Sequence, residues 1–270
     1  MKKIIRYFFI LIIFIHCNLF ANNKKIVTLA PNLTEIVYAL GQGHNLVGNT
    51  LLCDYPEEAK KVFKVGNFNN PSIENILASG ANIVLATEGN PMDKLKILKP
   101  MGVEVLQVKP QSAQDIPKII KTIAVHLGVE KQGVILSSNI ENSLNELSMK
   151  NKKNKSFLLV LQFNPTYSVS EETWLGGLFK LSGLKNIVGK SVIKYPILSN
   201  EFLLKNRPDV VLVGEIEGKT KKESYEINKI KLKQIFGNET EKIEIITVPK
   251  DVLVRPGPRI VEGIKFIESI

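Results

Sequence analysis

Ser72-Ile-Glu-Asn-Ile-Leu-Ala-Ser-Gly-Ala-Asn-Ile-Val-Leu-Ala-Thr-Glu88 lies over Ser199-Asn-Glu-Phe-Leu-Leu-Lys-Asn-Arg-Pro-Asp-Val-Val-Leu-Val-Gly-Glu215 at a constant offset of 127 positions. Ser, Glu, Leu, Val, Leu and Glu match outright, and Ile/Leu, Asn/Asp, Ile/Val and Ala/Val match in character. Each copy reads as a capped short helix, a turn and a buried strand. A serine hydroxyl at Ser72 or Ser199 accepts from a free amide of the first turn, and Glu74 or Glu201 sits where the helix dipole favours an anion. Ile83–Ala86 and Val210–Val213 are unbroken apolar runs rich in β-branched residues, as strands buried on both faces are.

Strand and helix patterns alternate outward from both copies. Ile26–Leu29 is a strand, and Asn32-Leu-Thr-Glu35 opens a helix that carries Leu33, Ile36, Val37 and Leu40 and stops at Gly41. Val103–Val108 reads as a strand and Ala113–Leu127 as a helix. In the second half Ser156–Gln162 and Ile243–Val248 are strands, while Thr173–Ser182 and Gly257–Ile270 are helices. Such alternation implies a parallel sheet wrapped by helices, once per half. Between the halves Val129, Leu136, Ile140, Leu144 and Leu147 fall on one helical face, with Ser137, Asn139, Glu141 and Asn145 elsewhere. Roughly 22 helical residues reach about 33 Å, so one long helix joining two lobes is expected. The fold class read from the chain is therefore α/β, with two Rossmann-like lobes at 22–128 and 151–270 and a linker helix at 129–150.

The N-terminus bears on the compartment. Lys2, Lys3 and Arg6 precede an apolar run from Tyr7 to Ile15, and Leu19-Phe20-Ala21 follows. That is the order of a secretory signal peptide at 1–21, and the run is shorter than the ~20 residues that span a bilayer. Cleavage after Ala21 to a free periplasmic chain is expected. A lipid-modified Cys17 is the rival, opposed by the bulk of His16 before it. Loss of the leader takes the net charge from +10 to +7, with acids interleaved among the lysines except in Lys150–Lys155 and Lys219–Lys222. Those clusters lack aromatic partners for bases, so they read as solvated loops and not as a nucleic-acid surface. Only Cys53 remains after cleavage, so no internal disulfide can form, and it reads as a small buried thiol.

Enzyme chemistry is poorly served. His44 lies in the Gly41–Gly48 turn and His126 near a helix end, neither beside a nucleophile, and Gly-x-Ser-x-Gly is absent. Neither His-Glu-x-x-His nor a paired-cysteine metal spacing occurs. Gly41-Gln-Gly43 ends a helix where a dinucleotide loop would open one.

Asn32-Leu-Thr-Glu35, Cys53-Asp-Tyr-Pro56, Val65-Gly-Asn-Phe-Asn-Asn-Pro-Ser-Ile-Glu74 and Pro258-Arg-Ile260 give the chain a family likeness. It resembles the periplasmic substrate-binding proteins of ABC importers for cobalamin, haem and ferric siderophores, over nearly all of the mature length, with the cobalamin branch nearest. The resemblance implies two lobes joined by one rigid helix, a ligand cleft between them, no cofactor, no catalysis, and a chain that is monomeric when free. It implies that Glu74 and Glu201 dock on arginines of a membrane permease coupled to an ATPase. It places Phe68, Tyr167 and Tyr195 as aromatic ligand contacts, and Asp251 with Arg255 at the ligand's polar edge. Leu52 and Val252–Val254 depart from the cobalamin pattern. Haem is disfavoured because Phe68 stands where a haem binder offers a tyrosine oxygen. Metal-ion binders of the related cluster need more histidines than are present. A cobalamin-type corrinoid is the leading ligand and a ferric siderophore the runner-up. An exported structural or adhesin-like protein is the reading from another class.

Overall fold

The computed structural model describes residues 24–150 and 154–270. The N-terminal stretch read as a signal peptide, with Cys17, lies outside the described residues, as do 151–153 of the Lys150–Lys155 run. The contact pattern divides the chain into two compact units, Met1–Gln107 with His126–Val129, and Val108–Val125 with Glu130–Ile270.

Unit 1 is built on strands β1 (Ile26–Thr28), β2 (Leu46–Asn49), β3 (Ile83–Thr87) and β4 (Glu104–Val108), in the order β2-β1-β3-β4. β1 runs parallel to both neighbours, with Ile26 opposite Ile83 and Thr28 opposite Leu85. All five residues of β3 are buried, which is why its sequence shows no alternation. Helix α1 (Pro31–Ala39) begins on a proline, whose missing N–H costs nothing there, and buries Leu33, Ile36 and Val37. It ends at Gly41, whose φ of 75° suits glycine. Helices α2 (Ile73–Ala78) and α3 (Met92–Leu95) complete the unit. Val27, Leu29, Val65, Ile76, Val84, Ala86, Leu95 and Leu98 form one core cluster.

Unit 2 includes helices α4 (Asp115–Leu127, through Val125) and α5 (Glu130–Met149). Its parallel sheet comprises β5 (Ser156–Val160), β7 (Lys185–Asn186), β9 (Val210–Gly214) and β10 (Glu244–Val248), ordered β10-β9-β5-β7. Read in chain order, both sheets have the arrangement 2-1-3-4, and the ends of β3 and β9 differ by the 127 positions of the repeat. A short antiparallel ribbon pairs β6 (Thr166–Tyr167) with β8 (Ile197–Leu198). The remaining helices are α6 (Trp174–Leu181), α7 (Asn200–Lys205), α8 (Lys221–Phe236), α9 (Lys250–Val254) and α10 (Ile260–Ser269).

The long helix α5 is present, with 20 residues. Its buried seam is Gly133, Ser137, Ile140, Leu144 and Leu147, so the sequence-expected Val129 and Leu136 are replaced by smaller residues. The reason is a close crossing, since a Cβ on Gly133 would collide with the Cβ of Ala124 in α4.

Two elements correct the sequence reading. Lys219–Lys222 is not a solvated loop, because Lys221 and Lys222 form the first turn of the 16-residue α8. Thr220 caps it, accepting from the Glu223 amide while the Glu223 carboxylate accepts from the Thr220 amide and hydroxyl. Those bonds hold the Glu223 carboxyl below its usual range. The Gly41–Gly48 turn also runs directly into β2, with Leu46 already in the strand.

Ser72 and Ser199 cap as the repeat predicts. Each hydroxyl oxygen accepts at 3.1 Å from the third amide of its helix, Asn75 in one unit and Phe202 in the other. Replacing either serine by alanine is expected to cost about 1 kcal/mol, read as a lower urea midpoint at unchanged slope. No change in midpoint would mean that solvent or a neighbour replaces the cap.

Candidate functional site

In parallel α/β sheets the loops after the strands gather at one edge, where ligands bind. In unit 1 that edge carries the segments following Thr28, Asn49 and Thr87. The segment after β2 is pinned from within. Lys64 sends its ammonium to Asn49 Oδ1 at 2.7 Å, the Ala59 carbonyl at 3.1 Å and the Cys53 carbonyl at 3.3 Å. Burial pushes the Lys64 amine below its ordinary range. Cys53 is buried beside the Thr50 hydroxyl at 3.2 Å. This scaffold leaves Leu51 and Leu52 facing solvent, 56% and 67% exposed.

The Leu51 amide donates to the Gly66 carbonyl, which joins the leucines to the loop that holds Phe68. That loop closes on itself through a bridge between Gly66 and Pro71 and reciprocal bonds between Asn67 and Asn70. Gly66 has a φ of 108°, and a Cβ there would meet the Asn70 carbonyl oxygen at 2.8 Å, so only glycine fits. Phe68 is half-buried. Its carbonyl accepts from Asn90 Nδ2 at 2.9 Å, and the Cε1–Cζ edge of its ring meets Gly89.

In unit 2 the ribbon organises both tyrosines. Tyr167 pairs with Ile197, and the Ser168 and Ser170 amides extend the ladder to the carbonyls of Pro196 and Lys194. In this register Tyr195 is a diagonal neighbour of Tyr167, within reach for aromatic side chains. Tyr167 is half-buried and Tyr195 is 48% exposed. The segment before Tyr195 lines a hollow of about 580 Å³ with Gln111, Glu172, Lys190, Ser191, Val192 and Lys194, where Lys194 donates to Gln111 Oε1 at 2.7 Å. Asp251 stands in the first turn of α9 and Arg255 just past its end. They form an ion pair of 3.1 Å, the arginine side chain 13% exposed and the aspartate 51%. A pair with one exposed member contributes little to stability.

Glu74 and Glu201 take the same position in α2 and α7, two residues after the capping serine. Both side chains are exposed, and neither carboxylate has a hydrogen bond or ion pair among the described residues. The structure sets the five ligand candidates of the sequence reading in three local groupings: Phe68 beside Gly89 and Asn90, Tyr167 with Tyr195, and Asp251 with Arg255. It missed Leu51, Gly89 and Asn90, which no pattern singles out before the loops are placed.

His126 is paired with a carboxylate. His126 Nδ1 meets Glu104 Oε1 at 2.5 Å, and Lys24 reaches the other oxygen of that carboxylate at 3.4 Å. Among the described residues no helix is long and apolar enough to cross a membrane.

Comparison with known proteins agrees with this architecture. The family model for periplasmic binding proteins matches residues 26–236. The vitamin B12-binding protein of Pectobacterium atrosepticum is 27% identical over 249 residues, which span 89% of this chain and 86% of that protein. An uncharacterized ABC transporter substrate-binding lipoprotein of Bacillus subtilis is 30% identical over 262 residues, 92% of this chain and 80% of its own length. Among solved structures, the periplasmic vitamin B12-binding protein of Vibrio cholerae superposes with a TM-score of 0.75 at 24% identity, covering 90% of this chain and 94% of that one. The periplasmic haem-binding protein of Roseiflexus reaches a TM-score of 0.77 at 23% identity, covering 91% and 97%. These two structural likenesses establish the fold alone.

Proposed function

Because the chain belongs to the periplasmic binding protein family, we propose that it captures a cobalamin-type corrinoid outside the cytoplasm and delivers it to an ABC importer permease. It acts by binding and not by catalysis. The observation that carries the ligand reading is the aromatic set itself, Phe68 edge-on to Gly89 and Tyr167 diagonal to Tyr195. A corrinoid has broad apolar surfaces and a polar amide rim, so it needs flat aromatic partners and a few directional groups. Phe68, Tyr167 and Tyr195 supply the surfaces, and Asp251 with Arg255 the directional groups. Relatives named as vitamin B12-binding proteins support the same choice. Phe68 has no donor atom for haem iron.

Phe68 belongs to unit 1 and the other four residues to unit 2. On this reading the lobes are 22–128 and 151–270 and the helix at 129–150 joins them. Glu74 and Glu201 are the permease contacts.

Calorimetric titration with cyanocobalamin and a panel of ferric siderophores tests the ligand. Tyr167→Ala and Tyr195→Ala are each expected to cost about 1–3 kcal/mol of binding, the range for a buried aromatic contact. Arg255→Ala is expected to cost about as much, by leaving a ligand amide or Asp251 unpaired. Tight binding of a siderophore with no heat from any corrinoid would transfer the proposal to iron-complex uptake. Wild-type affinity in all three variants would show that the contacts lie elsewhere.

A further inference from the structure

Asn90 is a buried polar residue, 6% exposed, at the edge of the unit 1 sheet, and its amide is fully used. Its Oδ1 accepts from the Thr87 amide at 2.8 Å, at the end of β3. Its Nδ2 donates to the Leu29 carbonyl at 3.2 Å, just past β1, and to the Phe68 carbonyl at 2.9 Å. One side chain thus ties the loops after two central strands to the loop that carries Phe68. Burying an amide is costly unless its hydrogen bonds are made, so this arrangement holds as a unit or not at all. Gly89 adds the second constraint. Its φ is 93°, and a Cβ built there would lie 2.9 Å from Phe68 Cε1 and 3.1 Å from Cζ. The Cε1–Cζ edge of the ring therefore abuts a backbone that carries no side chain. Lys94 fixes the far side of the loop, donating to Asn70 Oδ1 at 2.7 Å.

We infer that Gly89 and Asn90 are positioning residues for Phe68. Asn90 sets the height of the loop through the Phe68 carbonyl, and Gly89 sets the tilt of the ring by letting it lie against bare backbone. The ring meets Gly89 along its Cε1–Cζ edge, so the contact fixes the ring's orientation without covering a face. The partner of a ring face held in this way is a flat apolar surface of the ligand and not a group needing a donor. This deepens the ligand reading and rests on Phe68 being a contact.

A double-mutant cycle separates positioning from direct contact. Cyanocobalamin is titrated into wild type, Phe68→Ala, Gly89→Ala and the double variant, with thermal midpoints checking that each is folded. Each single change is expected to weaken binding about tenfold, in the range of one aromatic contact. The double variant is expected to bind within about threefold of Phe68→Ala, because Gly89 has nothing left to position. Wild-type affinity in Gly89→Ala, or a full further loss in the double variant, overturns the inference. If Phe68→Ala binds as well as wild type, it is the ligand reading that fails.

A measurement without ligand decides the bracket in either event. Asn90→Asp keeps the acceptor for Thr87 and removes both donors, so amides 66–71 are expected to exchange with deuterium at least about tenfold faster, with strand amides of unit 2 unchanged. Unchanged exchange at 66–71 overturns the inference even if binding has fallen.

Discussion

A chain carrying both Glu74→Arg and Glu201→Arg is expected to bind its ligand within a few-fold of wild type and to support no uptake. Both carboxylates are exposed on the first turn of a serine-capped helix and have no partner among the described residues. The reversal thus breaks no hydrogen bond or ion pair within the described residues. Its local cost is that a cation replaces an anion at the positive end of two short helices, a few tenths to 1 kcal/mol each. At a charge-matched interface the same reversal places like charges together, costing several kcal/mol. Vesicles containing the permease and its ATPase, with labelled ligand and either chain outside, give the uptake. Calorimetry gives the affinity. Full uptake by the double variant would refute the docking assignment, whereas a parallel collapse of affinity would place these residues at the ligand instead.

Phe157→Ala is expected to destabilise the protein by about 3–5 kcal/mol, the usual cost of emptying a buried phenylalanine site. Phe157 is fully buried in β5, between Asn186 of β7 and Val210 of β9. Its ring centre lies 4.5 Å from that of Phe179 in α6, tilted by 32°. The substitution removes a strand side chain and an aromatic partner of the covering helix together. With backbone pairing on both sides, the strand cannot shift to close the void. For units of this size about 1 kcal/mol moves the thermal midpoint by about 2–4 °C, so a fall of roughly 6–20 °C follows. Differential scanning calorimetry reads it, and a midpoint within 2 °C of wild type would contradict the packing described.

The repeat was legible because β3 and β9 are buried on both faces, so their apolar runs needed no register to be recognised. The capping serines were legible because a cap is a local device. Helix α8 was not, for a reason visible in its buried face. Ser224, Asn228, Leu232 and Phe236 fall at four-residue spacing, but two of the four are polar. Ser224 accepts from the Ile216 amide and Asn228 donates to the Gly214 carbonyl, so this helix is held partly by hydrogen bonds that hydropathy cannot register. Its true signal was the Thr220–Glu223 box, hidden inside a lysine run. The ribbon of β6 and β8 escaped because two-residue strands carry no period. Within the candidate site, resemblance supplied single residues and the backbone supplied their neighbours. Neither the diagonal of Tyr167 and Tyr195 nor the seat of Phe68 on Gly89 can be read from spacing along the chain.

The unpartnered state of Glu74 and Glu201 bears on the setting in which such a chain works fastest. If they dock on arginines as the resemblance implies, no hydrogen bond or ion pair among the described residues has to break first, and charge helps to guide the encounter. Salt shortens that guidance, from about 30 Å in very dilute solution to about 8 Å at physiological strength. Brine would therefore shorten the reach of these two carboxylates, and it would equally screen the repulsion from the chain's net positive charge, so that the response of delivery to salinity reports which of the two governs the approach.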